Sequence, residues 1–293
     1  MYRFWLPVAI ALAAALLPAA EPVSIPVRLN ASYQMFASAR INNSEPMSCT
    51  LDSGGGANLY LDQSLAATLG VRPTSEGRSA SPQDSRMRTD LRAQTSIEVA
   101  GVKFENQPVI LRNMPAAEFA CVIGLAVFRG YTVDIDYARN VVRLLDSERF
   151  RYDGPGQLLP FSSEGNNVFV DTSLALPDGN KVTARLAVDT GGGRFTALLS
   201  KSYADKNRIF DRGLSTEPDA TFGYEDGQPK VVVARLARLA LGKIELDQPA
   251  IHIWRVRGFG GGTEPDGLLC GGALHQFRLI IDYPKHQLVF EPN

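Results

Sequence analysis

Beyond residue 24 the chain alternates apolar and polar positions in short bursts, each closed by turn residues. "MFASARIN" and "PMSCTL", on either side of Asn-Ser-Glu, predict a hairpin. "VFVDTSLAL" and "KVTARLAV" predict a second one around Pro-Asp-Gly-Asn, where Asp-Gly is a strong turn signal. Strands are also expected in "VAGVKFENQPVIL", "LALGKIELDQPAIHI", "YTVDIDYARNVVRL" and "FRLIIDYPKHQLVF". Helical periodicity is confined to two short stretches. "LDQSLAATLG" has Asp62 as N-cap and Gly70 as its stop, and "LSKSYADKN" starts at Ser200. The pattern predicts an all-β chain, mainly β with a few short helices.

The same pattern is written twice. "CTLDSGGG" at 49–56 returns as "LAVDTGGG" at 186–193, placing Asp52 and Asp189 137 residues apart. A hairpin precedes each motif and a short helix follows it. Gln-Pro recurs at 107–108 and 248–249, and Ile-Asp-Tyr at 135–137 and 281–283. The offset grows along the chain, as modest insertions in a second copy would make it. A period this long describes two similar domains and not a solenoid. The boundaries read as 24–148 and 158–293, joined through the polar, Gly-Pro-Gly-containing segment 146–157.

Composition narrows the function classes. The 293 residues carry 30 basic and 31 acidic side chains with no basic run, which argues against a nucleic-acid partner. Residues 1–20 run from Arg3 through an apolar stretch, Phe4 to Leu17, to small residues at Ala19 and Ala20. This order reads as a secretory signal, and the periplasm or the exterior is the expected location. Pro18 makes the cleavage site imperfect, so a retained membrane anchor is the alternative. The three cysteines, Cys49, Cys121 and Cys270, sit among apolar neighbours that favour buried thiols. No Cys/His spacing suggests a metal, and His252, His275 and His286 match no zinc motif.

The glycine-rich motif presents either Ser53 or Asp52. A serine nucleophile needs a base, usually histidine, yet every histidine falls in the last 42 residues and the second copy has Thr190 in the serine's place. What both copies share is an aspartate ending an apolar strand, then a small hydroxyl residue, then glycine. Two such carboxylates brought together share one proton, because both cannot ionise about 3 Å apart. Such a pair holds a water, with one member accepting its proton and the other polarising a carbonyl.

Asp52-Ser53-Gly54 and Asp189-Thr190-Gly191, with the hydrophobic-hydrophobic-glycine segment Val122-Ile123-Gly124, resemble the signatures of the aspartic proteases. The lobes are short, as in retropepsin-like domains, but fused in one chain as in the pepsins. The resemblance runs from about residue 24 to 293 and is nearest to bacterial retropepsin-like aspartyl proteases. It implies two homologous closed β-barrel-like lobes related by a pseudo-twofold, and an exported, monomeric endopeptidase acting on polypeptides without metal or cofactor. Asp52 and Asp189 would be catalytic. Ser53, Gly54, Thr190 and Gly191 would support the loops, the two hydroxyls bonding to backbone across the lobe interface. The implied strand pairing makes Cys49 and Cys121 spatial neighbours, able to form a disulfide. Gly55 and Gly192 replace the family's usual Ala or Ser, and the place of Gly124 falls to Cys270 on a 146 offset or to Gly271 on a 147 offset with one residue missing before Phe277. These departures motivate a second reading, a noncatalytic peptide- or protein-binding module on the same fold.

The covering hairpins of that family would fall at 76–97 and 215–237, with Phe222 and Tyr224 placed to contact a bound chain. The loop 254–267 would line the groove; its glycines lack the context of a phosphate loop. Asp136 and Asp282, in the repeated triplets, read as structural turn residues, and Asp134 and Asp153 as solvated.

Overall fold

The structure, a computed structural model, describes residues 21–81, 84–114, 119–256 and 265–293, with the backbone alone at 78–81 and 84–88. Residues 1–20, on which the signal and anchor readings rest, lie outside the described residues, as do 257–264 of the predicted groove loop. The chain is mainly β, with short helical turns at Lys201–Lys206 and Gly271–Leu274 and a few 3-10 turns.

Both predicted hairpins form. Met35–Ile41 pairs with Met47–Asp52, and Asn167–Ala175 with Lys181–Asp189. Their alternating burial follows from the period-two pattern, since successive side chains point to opposite faces. Gly179 closes the second turn at φ 85°, a conformation glycine adopts without penalty. Ser200 caps Lys201–Lys206 as its sequence position suggests, accepting from the Tyr203 N–H at 3.2 Å. The first copy's helix shrinks to a 3-10 turn, Gln63–Leu65, capped by Asp62.

In the first half, six strands close on themselves in the order Met35–Ile41, Met47–Asp52, Cys121–Gly124, Leu59–Asp62, Val102–Arg112 and Asp84–Val99. Asp84–Val99 completes the ring by returning to Met35–Ile41 beyond a bulge between Thr95 and Ile97. Cys49 and Cys121 are disulfide-bonded between neighbouring parallel strands of this barrel. The second half repeats these pairings around an interrupted strand. Its counterpart to the long strand breaks at Leu236–Ala237: Val231–Arg235 joins Ala250–Trp254, and Arg238–Leu241 joins Asn167–Ala175. Backbone bonds from Leu236 N–H to the Pro249 carbonyl and from Ala237 N–H to the Ala175 carbonyl span the break, and Ser162–Glu164 pairs with Asn167–Ala175 to one side of the nine-strand path.

A third sheet draws on both halves. Its six strands run Val23–Pro26, Val141–Asp146, Tyr131–Asp136, Phe277–Asp282, Gln287–Pro292 and Gln157–Pro160. The halves meet where Tyr131–Asp136 pairs antiparallel with Phe277–Asp282, Asp134 standing opposite Ile280. Asp134 is not solvated as its sequence setting suggested. It is 1% exposed and bonds Arg278 at 2.8 and 2.9 Å and Arg143 at 3.1 Å. The burial follows from a pairing partner 144 residues away, which local alternation does not reveal. Asp136 and Asp282 are turn residues as expected, accepting from the backbone N–H of Arg139 and Lys285.

Candidate active site

Asp52 ends a strand that pairs in parallel with Cys121–Gly124, so that Asp52 lies opposite Gly124. Asp189 ends a strand pairing in parallel with Gly267–Cys270 and lies opposite Cys270. Cys270 therefore stands in the register position of Gly124, and the irregularity seen in the sequence is a substitution without a gap.

The two loops are tied to each other through their hydroxyl residues. Ser53 Oγ donates to the Val188 carbonyl at 2.6 Å and accepts from the Thr190 N–H at 3.0 Å. Thr190 Oγ1 donates to the Leu51 carbonyl at 3.3 Å and accepts from the Ser53 N–H at 3.0 Å. Both hydroxyls are buried, so each of these bonds replaces a solvation that burial has removed. Ser53, fully engaged in this way, is not presented as a nucleophile. Gln34 adds a further brace that the sequence did not reveal, its Nε2 donating to the Gly191 carbonyl at 2.7 Å. Asn30 positions Gln34 by accepting from its N–H at 3.0 Å, an Asx turn whose signal was the Asn-x-Ser spacing alone.

This knot brings Asp52 and Asp189 face to face. A Cβ on Gly54 would stand 2.5 Å from Asp189 Oδ1, and one on Gly191 would stand 2.6 Å from Asp52 Oδ1. Only glycine permits such an approach. Asp52 Oδ1 accepts from the Gly54 N–H at 2.7 Å and from the Gly191 N–H at 3.2 Å, one donor from each half. Burial raises the pKa of Asp52, and these backbone donors oppose it. Burial raises Asp189 well above the ordinary carboxylate value, and the negative charge of Asp52 adds to the shift. Both carboxyls are thus raised, Asp189 the further, and the pair holds one proton between them.

Gly192 and Gly55 do not loosen the loops. A Cβ on Gly192 would lie 2.6 Å from Cys270 Sγ and 2.9 Å from Asp189 Oδ2. One on Gly55 would lie 3.0 Å from Asp52 Oδ2 and 3.2 Å from the Tyr60 ring. The space that an Ala or Ser side chain would fill is taken by Cys270 at Gly192 and by Tyr60 at Gly55. Tyr60 also donates its hydroxyl to the Gly55 carbonyl. Burial, reinforced by Asp189 and Asp52, pushes the Cys270 thiol well up, so it stays protonated. Tyr137 is buried and its hydroxyl feels both aspartates, which with burial raise its pKa.

The expected hairpins are present in unequal form. Ser75–Ser81 and Asp84–Val99 pair as a long antiparallel arm. In 215–237 the arm is short: Thr216–Pro218 pairs with Val232–Ala234, and a small hairpin turns at Asp226 and Gly227, both at positive φ. Phe222 packs on Trp254 and Phe195, with ring centroids 5.3 and 5.5 Å apart, beside the cluster that contains Cys270. Tyr224 is 54% exposed on the small hairpin, where it pairs with Pro229.

No family model matches the chain, and no curated protein does.

Proposed function

We propose that the protein is an exported aspartic endopeptidase in which Asp52 and Asp189 activate a water against a peptide bond. The observation that carries this reading is the reciprocal Ser53–Thr190 bonding, which holds the Asp52 and Asp189 carboxyls against each other with both pKa values raised. The repeated registers, Asp52 opposite Gly124 and Asp189 opposite Cys270, support two lobes, 24–148 and 158–293, related by a pseudo-twofold through the pair. The disulfide supports an oxidising compartment outside the cytoplasm.

The Asp52 carboxylate takes a proton from the water as its oxygen adds to the substrate carbonyl carbon. Asp189 gives its proton to the carbonyl oxygen, leaving a gem-diol. Asp52 then passes its proton to the leaving nitrogen while Asp189 recovers one from a diol hydroxyl. The C–N bond breaks, and the pair again holds one proton. The two loops contribute preorganisation: the backbone donors around Asp52 hold its charge in place before substrate arrives. An extended substrate lies between the halves beneath the Ser75–Val99 arm, gripped by strand-type hydrogen bonds.

The test is cleavage of an unfolded protein by the mature chain across mildly acid pH, with Asp52→Asn and Asp189→Asn assayed separately. Both variants are expected to lose activity by orders of magnitude while staying folded. Full activity in either one overturns the shared-proton pair. Peptide binding by the wild type without turnover at any pH would favour the noncatalytic module instead.

A further inference from the structure

The walls on the two sides of the carboxyl pair have opposite chemistry at matching registers. Tyr60 pairs with Val122 on one side and Ile110 on the other, and Leu198 pairs with Leu268 and His252 in the same two senses. Two residues beyond Ile110 is Arg112; two residues beyond His252 is Trp254. Asp90 faces Arg112 from the next strand with a 2.7 Å ion pair, where Val231 faces Trp254. The first half thus sets a tyrosine, an arginine and an aspartate where the second sets a leucine, a tryptophan and a valine.

The second wall is mainly apolar: Leu198, Val231 and Trp254 pack with Cys270 and Phe222 lies over them, while His252, the counterpart of Ile110, pairs with Asp219 at 3.2 Å. The first wall is polar and carries an unmatched cation. The Arg112 guanidinium lies 4.4 Å over the Tyr60 ring and is neutralised by Asp90. Arg92, two residues along the strand from Asp90 and on the same face, is exposed and has no ion-pair partner among the described residues. Its head group lies across the hairpin at Gly77, where an added Cβ would stand 2.8 Å from Nη2. Its charge reaches the Tyr60 hydroxyl together with that of Asp52. Arg92 pairs with Ile110, which pairs with Tyr60, so the cation and the tyrosine share one register row.

Resting on the peptidase reading above, the geometry points to a substrate that places an acidic side chain against Arg92 and Tyr60, and an apolar or aromatic one against Phe222, on opposite sides of the bond that is cut. A carboxylate suits Arg92 because the planar guanidinium offers paired donors that match its two oxygens. A substrate entering in the reverse sense sets its acid on the cluster of Leu198, Val231 and Trp254, beside a His252 already paired with Asp219, and forgoes Arg92, so the chain is read in one direction.

The experiment uses internally quenched peptides with one Glu and one Phe flanking the central bond, in both orders, and the same peptides with Gln for Glu. The wild type is expected to cleave one order and to favour Glu over Gln by about tenfold in kcat/KM, the worth of one charge-assisted bond. In Arg92→Met that ratio falls toward one, and Arg92→Lys restores part of it. Equal cleavage of Glu and Gln peptides by the wild type, or a preference that survives Arg92→Met, overturns the inference. Fluorescence anisotropy of the same peptides on an Asp52→Asn, Asp189→Asn double variant reads the acidic preference without turnover. Absence of cleavage with retained Glu preference thus sinks the peptidase reading and leaves the recognition standing; absence of Glu preference in binding sinks the recognition.

Discussion

Gly192 and Cys270 are fitted to one another: the sulfur occupies the volume that any larger residue at 192 would need, 2.6 Å from the position of its Cβ. In the sequence the two were separate departures from a motif. In the structure they are one compensated change beside Asp189.

Gly192→Ala is therefore expected to destabilise the chain by about 1–3 kcal/mol through overpacking. Adding Cys270→Ala removes the clash with sulfur but leaves the one with Asp189 Oδ2 at 2.9 Å. The double variant should regain stability in denaturant melts while recovering little activity. Additive losses in that double-mutant cycle would contradict the fit.

Thr190→Val removes the donor to the Leu51 carbonyl and the acceptor for the Ser53 N–H. Leaving these buried groups unpaired costs about 1–3 kcal/mol each. A larger proportional loss in kcat than in KM is expected, because the bonds position Asp52 and Asp189 and do not touch substrate. Steady-state kinetics on one peptide separates the two.

Asp189 holds its proton more tightly in the folded protein than in the unfolded chain, through burial and the charge of Asp52. A raised carboxyl pKa means stability is full at acid pH and declines as pH rises above the ordinary value of 3.8 toward the folded one. Asp189→Asn stays uncharged, so its Tm should gain on that of the wild type as pH climbs to neutral. Thermal melts in a pH series check this. Activity should follow the same side, falling as rising pH strips the pair of its single proton, with an acid limit where Asp52 is protonated.

Asp134→Asn strips charge from a buried cluster in which Arg278 and Arg143 both converge on this one carboxylate. Breaking such a buried arrangement costs about 3–5 kcal/mol. The loss should appear in chemical denaturation as an earlier midpoint. It should leave the Glu/Gln selectivity of any remaining activity unchanged.

What the sequence disclosed and what it hid divide along contact range. Asp52, Ser53, Asp189 and Thr190 were legible because duplication singles out the positions both copies keep, and their chemistry narrows to one arrangement. The hairpins and the Ser200 cap were legible because alternation and capping act within a few residues. Tyr60, Arg92 and Arg112 were not, since they come from three separate strands and meet only through strand register. Asp134 was misread for the same reason: its arginine partner Arg278 is on a strand from the other half. Phe222 packs on the apolar wall, while Tyr224, beyond the positive φ of Gly223, is exposed on the small hairpin.

The sheet shared by both halves has a consequence for how the chain survives damage. Residues 146–157 link the halves covalently, but Tyr131–Asp136 and Phe277–Asp282 also hold them side by side, with Gln157–Pro160 stitched to the far edge through Gln287–Pro292. A single cut in that link opens the backbone without releasing either piece. The nicked protein is expected to stay assembled as a two-chain particle, held by that sheet.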